Sequence, residues 1–321
     1  MSLSAIQPYY IPAVSITVLP GITITNLDST GLRIEWLVMR DNTNKPDTGT
    51  VTVYNLSPAT IGLIYDAWRA SRRVFDPVPI FSISIGWNRL PEQLMVGDII
   101  DLIPQRRTPT DVLTVFQIGD GTQRTRDQTV GRDFANVNLV TVLDYLITLP
   151  PAGADAGGGG LGLLFPADSK ALVQQAAAEI PLQNWGNITK GMSTVEAVNQ
   201  IMDTLGLEWR IHNNAFIALR GGLILRPGPT IRPQTGLIDY SPRDDGGIEF
   251  TAVADTRLEP GIRTTVLDNL GRPIGSPSYR VESVAFQGNT DENSIVRCLG
   301  RRPIGIQEGA TSFNFTPALA F

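Results

Sequence analysis

The chain has 321 residues, 42% of them hydrophobic and 18% charged, and a formal net charge of -5. This length predicts two to three domains, and the hydrophobic fraction predicts a packed core and excludes global disorder. A protein that grips nucleic acid normally carries a basic stripe, whereas the arginines here form isolated pairs such as Arg301 and Arg302. With Cys298 as the only cysteine, an internal disulfide is excluded.

The N-terminal segment has neither a basic start nor an apolar core, so we expect no signal peptide. No apolar run approaches the ~20 residues of a membrane span, so we expect no membrane anchor and folding in the cytoplasm. The low charged fraction has two explanations: a β-rich chain with many glycines and prolines, or a surface buried in an assembly.

Alternation of apolar and polar residues predicts β-structure in the first third. A Pro-Gly turn within residues 14–27 predicts a hairpin. Ser57 and Pro58 predict the start of a helix, as its cap and first residue. Strands at such spacing predict a closed or half-closed antiparallel barrel in domain 1–128. The further strands are predicted at 31–41, 50–56, 79–87, 92–108 (broken at Gly97-Asp98) and 111–121.

The middle of the chain, residues 129–234, is predicted to be a small α+β domain. Ser169 is the expected cap of its second helix, and Ser193 with Glu196 forms an expected capping box for the third. A hairpin is predicted around Asn213-Asn214. The helices are predicted at 138–150, 169–180 and 193–205, with a Gly-rich loop at 152–168 between the first two.

Strands return in residues 235–302, where 277–290 and 293–302 are predicted to pair antiparallel in a second β domain. The extension 303–321 is almost uncharged and ends in apolar residues, which predicts that it lies on a neighbouring surface. The predicted fold class is therefore mainly β, with two tube-like antiparallel β-barrel domains flanking an α+β insert. Interface candidates in the extension are Phe313, Phe315, Leu319 and Phe321.

The sequence offers little reactive chemistry. His212, the only histidine, stands beside the hairpin turn and is predicted to be a solvated turn residue. A zinc site would need carboxylates for most of its ligands, and a Ser-His-Asp triad would have to use His212 without a G-x-S-x-G elbow. The run Gly157–Gly160 is followed by Leu161 rather than by Lys and Ser or Thr, so we interpret it as a flexible loop.

The remaining candidates are carboxylates and aromatic residues. A glycosidase needs only two carboxylates, but the sequence cannot pair them, and turn geometry explains most of the acidic residues. Trp185 lies in an irregular stretch and is a further interface candidate, as a surface anchor or sugar platform, although it could also pin the loop. We therefore expect no catalytic, cofactor or metal site and no enzyme. The acidic residues placed in turns are Asp120, Asp244, Asp245 and Asp268, and the tryptophans placed in the core are Trp36, Trp68, Trp87 and Trp209.

The order of these segments resembles the hub proteins at the tail tip of contractile-tailed bacteriophages and related injection machines. GTVTVYNLSPATIGLI resembles a strand–YNLS–helix element of their first tube-like domain, followed by MVGDII and VFQIGDG. MSTVEAVNQIMDTLGLEWRIHNNAFIAL resembles their insert, and TGLIDYSPRDDGGIEFTAVADTRLEPGIRTTV the start of their second tube-like domain. SYRVESVAFQGNTDENSIVRCLG resembles the closing strand pair, so the resemblance covers residues ~15–302.

The resemblance implies a homotrimer whose two tube-like domains per chain form a six-part ring in the baseplate of the virion. It implies as partners the tail tube protein, a spike or needle protein, baseplate wedge proteins and the tape measure protein. DNA would pass through the ring without specific binding, and the ring would be assembled in the host cytoplasm. The Gly-rich loop and the extension depart from the family pattern, and deletion of 304–321 is expected to weaken attachment to the spike or a neighbour.

Three alternatives remain open at this stage. The first is a tail-tip protein of a non-contractile phage with the same fold. The second is a tail-associated hydrolase, which would need two close, buried carboxylates in a cleft. The third is a carbohydrate- or receptor-binding β protein, which would need exposed aromatic residues such as Trp185.

Overall fold

The alternating segments at both ends of the chain form strands of one large sheet, because each strand has one apolar face to bury. In β3, for example, Ile34, Trp36 and Val38 are buried while the residues between them are more exposed. The computed structural model describes residues 12–18, 21–27, 31–41, 46–71, 80–87, 90–106, 111–120, 128–135, 137–149, 160–180, 188–224, 226–292, 294–303 and 305–306.

The first third contains seven strands and one helix among the described residues. Pro58 begins the helix, and the Thr60 N–H donates to the Ser57 hydroxyl at 3.1 Å, which confirms the predicted cap. The elements are β1 Pro12–Val18, β2 Ile22–Thr25, β3 Ile34–Asp41, β4 Thr48–Tyr54, α1 Pro58–Ser71, β5 Ile80–Trp87, β6 Leu90–Arg106 and β7 Val112–Gly119.

The middle of the chain forms three helices over a two-stranded sheet. The predicted hairpin is confirmed, since β8 and β9 pair antiparallel and both Asn213 and Asn214 have positive φ. Its elements are α2 Leu139–Thr148, α3 Ala167–Ala178, α4 Thr194–Thr204, β8 Leu207–His212 and β9 Ala215–Arg220.

The last third is again built from strands. The predicted antiparallel pairing of the closing strands is confirmed as β15 with β16. Its elements are β10 Leu223–Ile224, β11 Pro227–Ile231, a 3-10 turn Pro233–Thr235, β12 Leu237–Pro242, β13 Ile248–Val253, β14 Arg263–Val266, β15 Tyr279–Asn289, β16 Ile295–Arg301 and β17 Gly305–Ile306.

A single 13-stranded sheet contains strands from both ends of the chain, in the order β12-β13-β16-β15-β3-β4-β7-β6-β5-β1-β2, with β11 and β14 beside this path. The two halves meet where β15 pairs antiparallel with β3. The fold is therefore mainly β with a large, mostly antiparallel sheet. The predicted barrels are not confirmed, because no pairing within the described residues joins the ends of this path at β12 and β2.

The described residues form two large hydrophobic cores and a small third cluster of Ala215, Ile217 and Leu219. One lies against the large sheet and contains residues from both ends of the chain, for example Trp36, Phe116 and Phe286. The other lies in the insert between its helices and β8–β9, where Trp209 stacks on Phe216 with ring centroids 5.2 Å apart. The predicted burial of Trp36, Trp68 and Trp209 is confirmed, whereas the Trp87 side chain lies outside the described residues.

Three local predictions were wrong. Strand β6 runs through Gly97-Asp98 unbroken, and Gly97 is needed because a Cβ there would meet the Gly119 backbone at 2.9 Å. Ser169 is not a cap but lies within α3, where its hydroxyl accepts from the Ala218 N–H at 3.2 Å. Ser193 stands at the N-cap position of α4 but makes no side-chain cap, and the Thr194 N–H at this end donates to the Gln128 carbonyl at 2.9 Å.

No helix of the described part of the chain is long and apolar enough to cross a membrane.

Candidate functional site

The turn of the insert hairpin is pressed against the large sheet. The Val96 N–H of β6 donates to Asn213 Oδ1 at 3.1 Å, and the Asn214 N–H donates to Asp120 Oδ1 at 2.9 Å. The Asp120 N–H in turn donates to the Asp47 carbonyl at 2.9 Å, which joins the segments that end β7 and precede β4. A turn that normally faces water therefore hydrogen-bonds to other parts of the protein, while Asn214 Oδ1 is buried without a partner among the described residues.

His212 lies at the centre of a network of charged residues, the junction cluster, which is defined as Arg40, Asp47, Asp98, Asp120, Arg210, His212, Arg226 and Glu259. Its Nδ1 lies 3.3 Å from Asp47 Oδ2, and its Nε2 lies 3.7 Å from Glu259 Oε1. Asp47 precedes β4 and Glu259 lies between β13 and β14. One imidazole of the insert thus connects both halves of the large sheet.

The prediction that His212 is a solvated turn residue is wrong, because only 3% of the residue is exposed. The assignment of Asp120 to a turn is correct in sequence position, yet its carboxylate is buried and accepts a hydrogen bond from the insert. Asp245 and Asp268 are confirmed as turn residues, since each accepts from backbone N–H groups two residues further on.

Glu259 is the main counter-charge for the basic members of the cluster. Its Oε2 lies 2.9 Å from Arg226 Nη2 and 3.8 Å from Arg210 Nη2. Burial alone would raise the pKa of Glu259, but His212 and the three arginines of the cluster outweigh burial and lower that pKa to about 2. Burial lowers the pKa of His212, so its imidazole is neutral at neutral pH.

Asp47 and Asp120 form the acidic corner of the cluster. Burial raises the pKa of Asp120 well above its usual range, and the neighbouring charge of Asp47 adds to the rise. Arg40 Nε lies 3.7 Å from Asp47 Oδ2, which compensates that carboxylate in part.

These two carboxylates are close and buried, as the hydrolase alternative required, but they do not line a cleft. Asp47 and Asp120 are 2% and 0% exposed, so a substrate cannot reach them in this conformation. A groove of about 400 Å³ lies nearby and is lined by Glu92, Arg226 and Glu259 among others. Neither Asp47 nor Asp120 lines this groove.

The residues predicted to form interfaces cannot be placed. Trp185, Phe313, Phe315, Leu319 and Phe321 all lie outside the described residues. The junction cluster, in contrast, was not predicted from the sequence. One signal in the sequence could have indicated this cluster. The β8–β9 turn contains a histidine followed by two asparagines, and these polar side chains need hydrogen-bond partners if the turn is buried.

Neither the protein-family models nor the curated proteins match this sequence. Solved structures do match its fold. The 43 kDa tail protein of prophage MuSo2 from Shewanella oneidensis superimposes with a TM-score of 0.58 at 9% identity, over 91% of this chain and 98% of that protein. A tail protein from Neisseria meningitidis MC58 gives a TM-score of 0.53 at 10% identity, over 91% and 96% of the two chains.

This chain has the fold of phage tail proteins. The fold extends to an E. coli component of the type VI secretion system, described as structurally similar to the bacteriophage T4 tail proteins gp27 and gp5. That match has a TM-score of 0.53 at 8% identity and covers 84% of this chain and 73% of that one. The resemblance found in the order of sequence segments is thereby confirmed for the tail-protein fold.

Proposed function

We propose that this chain is a structural subunit of a phage tail, specifically the hub of the baseplate. The observation that carries the proposal is the similarity along nearly the whole length of both chains, 91% of this one and 98% of the MuSo2 tail protein. A match of that extent includes the insert as well as the sheet, so it concerns the architecture of a whole subunit.

In this proposal three copies form a ring in which each half of the large sheet acts as one tube-like, barrel-forming unit. The parts are 1–128, 129–234, 235–302 and the extension 303–321. Strand β11 (Pro227–Ile231) falls within the range 129–234, but it pairs with β14 of the large sheet. The ring would join the tail tube protein to a spike or needle protein, contact wedge proteins, and pass tape measure protein and DNA through its channel.

The two ends of the large sheet support a ring. Within the described part of the chain, β12 pairs only with β13, and β2 only with β1. Ile238 and Tyr240 on β12 are large and exposed. An unpaired strand edge with exposed apolar side chains is a surface that another strand covers. We therefore place a neighbouring copy of this chain against β12.

The experiment is mass photometry of the purified chain and two variants. We expect the wild type at three times the 34.8 kDa chain mass. Replacing Ile238→Lys together with Tyr240→Lys is expected to shift the population to smaller species, because lysines oppose edge pairing. The matched control is Leu270→Lys, a change to an exposed leucine in the turn before β15, which should leave the mass unchanged.

A wild type that stays monomeric at micromolar concentration would contradict the trimeric hub. An unchanged trimer in the Ile238→Lys/Tyr240→Lys variant would instead remove β12 from the interface and leave the hub assignment in place.

A further inference from the structure

The junction cluster contains buried acceptors and buried donors without hydrogen-bond partners among the described residues, the donors being Nε and Nη1 of both Arg40 and Arg210. Asp47 Oδ1, Asp120 Oδ2 and Asn214 Oδ1 are buried, and each lacks a hydrogen-bond partner among the described residues. A buried acceptor without a donor costs free energy, about 1–3 kcal/mol for a neutral group and more for a charged one. A cation or an added proton satisfies such a set of oxygens.

A nitrogen ligand completes this corner. Ligand atoms of Asp47, Asp120 and His212 all lie within 4.8 Å of one another, and all three residues are buried. Asp47 and Asp120 come from the first part of the chain and His212 from the insert hairpin. The three residues are distant in sequence, so their convergence is a property of the tertiary structure.

The orientation of His212 suits metal binding. Its Nδ1 faces Asp47, while Nε2 faces Glu259 Oε1 at 3.7 Å and the Asn213 side-chain amide at 3.2 Å. Histidines that bind metals commonly direct the other ring nitrogen to a carboxylate, which orients the ring. Nδ1 is hydrogen-bonded to Asp47 Oδ2 at 3.3 Å, so a metal bound by Nδ1 would replace the proton of this nitrogen, and Nε2 would then carry the proton near Glu259.

We propose that Asp47, Asp120 and His212 bind one divalent transition-metal ion, with Zn²⁺ or Mn²⁺ as the chemical class. Two carboxylates and an imidazole are ligands that such ions accept, whereas Ca²⁺ and Mg²⁺ prefer oxygen alone. Arg40 lies on the Oδ2 side of Asp47, which leaves the unpartnered Oδ1 for the metal.

The arginines of the cluster oppose a bound cation, and the carboxylates of the cluster compensate its charge. Arg40, Arg210 and Arg226 supply three positive charges, which Glu259 and Asp98 offset in part. The two ligand carboxylates then balance a divalent ion. Bound there, the metal would join the insert hairpin to the β4 and β7 ends of the sheet, and so fix the position of the insert. The site does not depend on the proposed hub function.

The test uses the full chain, stripped with EDTA and then titrated with Zn²⁺ and, separately, with Mn²⁺. We expect one ion per chain by elemental mass spectrometry and a rise in the melting temperature on metal addition. Asp120→Asn retains the shape of the side chain but removes a ligand charge, and we expect it to weaken binding by more than about tenfold. The matched control Asp203→Asn, on the exposed face of α4, should bind as the wild type does.

Circular dichroism establishes that Asp120→Asn is folded. If this variant does not fold, His212→Gln replaces it, and the wild-type stoichiometry alone still decides the proposal. A wild type that binds neither ion at one per chain would overturn the metal site and assign a proton or water to this corner. Tight binding by folded Asp120→Asn would equally overturn it.

Discussion

At the scale of single residues, Glu259 is the acid that compensates the charge of the buried Arg210 and the partly buried Arg226. It contacts Arg210 and His212, which both belong to β8, and Arg226, which lies between β10 and β11. Burial of such a network costs desolvation energy, and its geometry repays that cost only while every member is present. We therefore expect the cluster to specify the position of the insert more than to stabilise the fold.

Glu259→Gln is expected to lower the free energy of unfolding by about 3 kcal/mol, because it leaves buried arginine charge uncompensated. The measurement is denaturant unfolding in the presence of EDTA, which keeps this test separate from metal binding. The control Glu249→Gln changes an exposed residue of β13 and should stay within about 0.5 kcal/mol of the wild type. An equal effect of both changes would contradict the role of Glu259.

His212 shows why residue environments were hard to predict. Its neighbours in sequence are two asparagines with positive φ, a pattern typical of an exposed hairpin turn. Nothing local distinguishes an exposed turn from one that is covered by another part of the chain. The partners of His212, Asp47 and Glu259, lie 165 and 47 residues away, and only the fold brings them together.

At the scale of elements, the pairing of β3 with β15 is the joint between the two halves of the sheet. Gly288 of β15 stands opposite Trp36 of β3. A Cβ at Gly288 would meet the Trp36 ring at 2.7 Å and the Ser294 hydroxyl at 2.8 Å. The joint therefore depends on a glycine that lets a tryptophan ring cross the neighbouring strand.

Gly288→Ala is expected to destabilise the protein by about 1–3 kcal/mol, since the added methyl group overpacks this joint. Thermal unfolding measures the effect. The control Gly62→Ala lies in α1, where a Cβ meets nothing within 4 Å, and it should be neutral or stabilising by up to about 1 kcal/mol. A neutral Gly288→Ala would show that the ring moves aside at little cost.

Strand identity was predictable because the period-two pattern is local, but bulges were not. In β15 the register shifts between Val281 and Ser283, so the buried positions change parity and continue at Val284 and Phe286. β6 likewise shifts register between Ile99 and Asp101, near the Gly97-Asp98 pair that predicted a break. A bulge depends on the partner strand, which a single segment does not specify.

At the scale of the whole molecule, the C-terminal segment divides into a paired part and a part outside the described residues. Gly305–Ile306 forms β17, which pairs parallel with β10 at the end of the insert. The expected deletion of 304–321 would remove this pairing together with the apolar end. A cut after Ile306 separates the two effects.

Deletion of 307–321 is expected to leave the melting temperature within about 2 °C of the wild type, since β17 is retained. If Phe313, Phe315, Leu319 and Phe321 contact a spike or a neighbouring subunit, the same deletion lowers co-purification with the other tail proteins. Full attachment of the shortened chain would contradict an interface in the extension. The division of the chain into 1–128, 129–234, 235–302 and the extension 303–321 also stays a prediction.

The sequence by itself determined the strand-rich ends and the helical insert, because these follow from local periodicity and turn residues. The order of its segments carried the resemblance to tail hub proteins. Only the tertiary structure decided that the two ends share one sheet and one core, and that this sheet is not closed by its described strands. It also decided that His212 and Asp120 are buried together with Asp47. Pairing and burial depend on partners far away in the chain, and a local pattern carries no information about them.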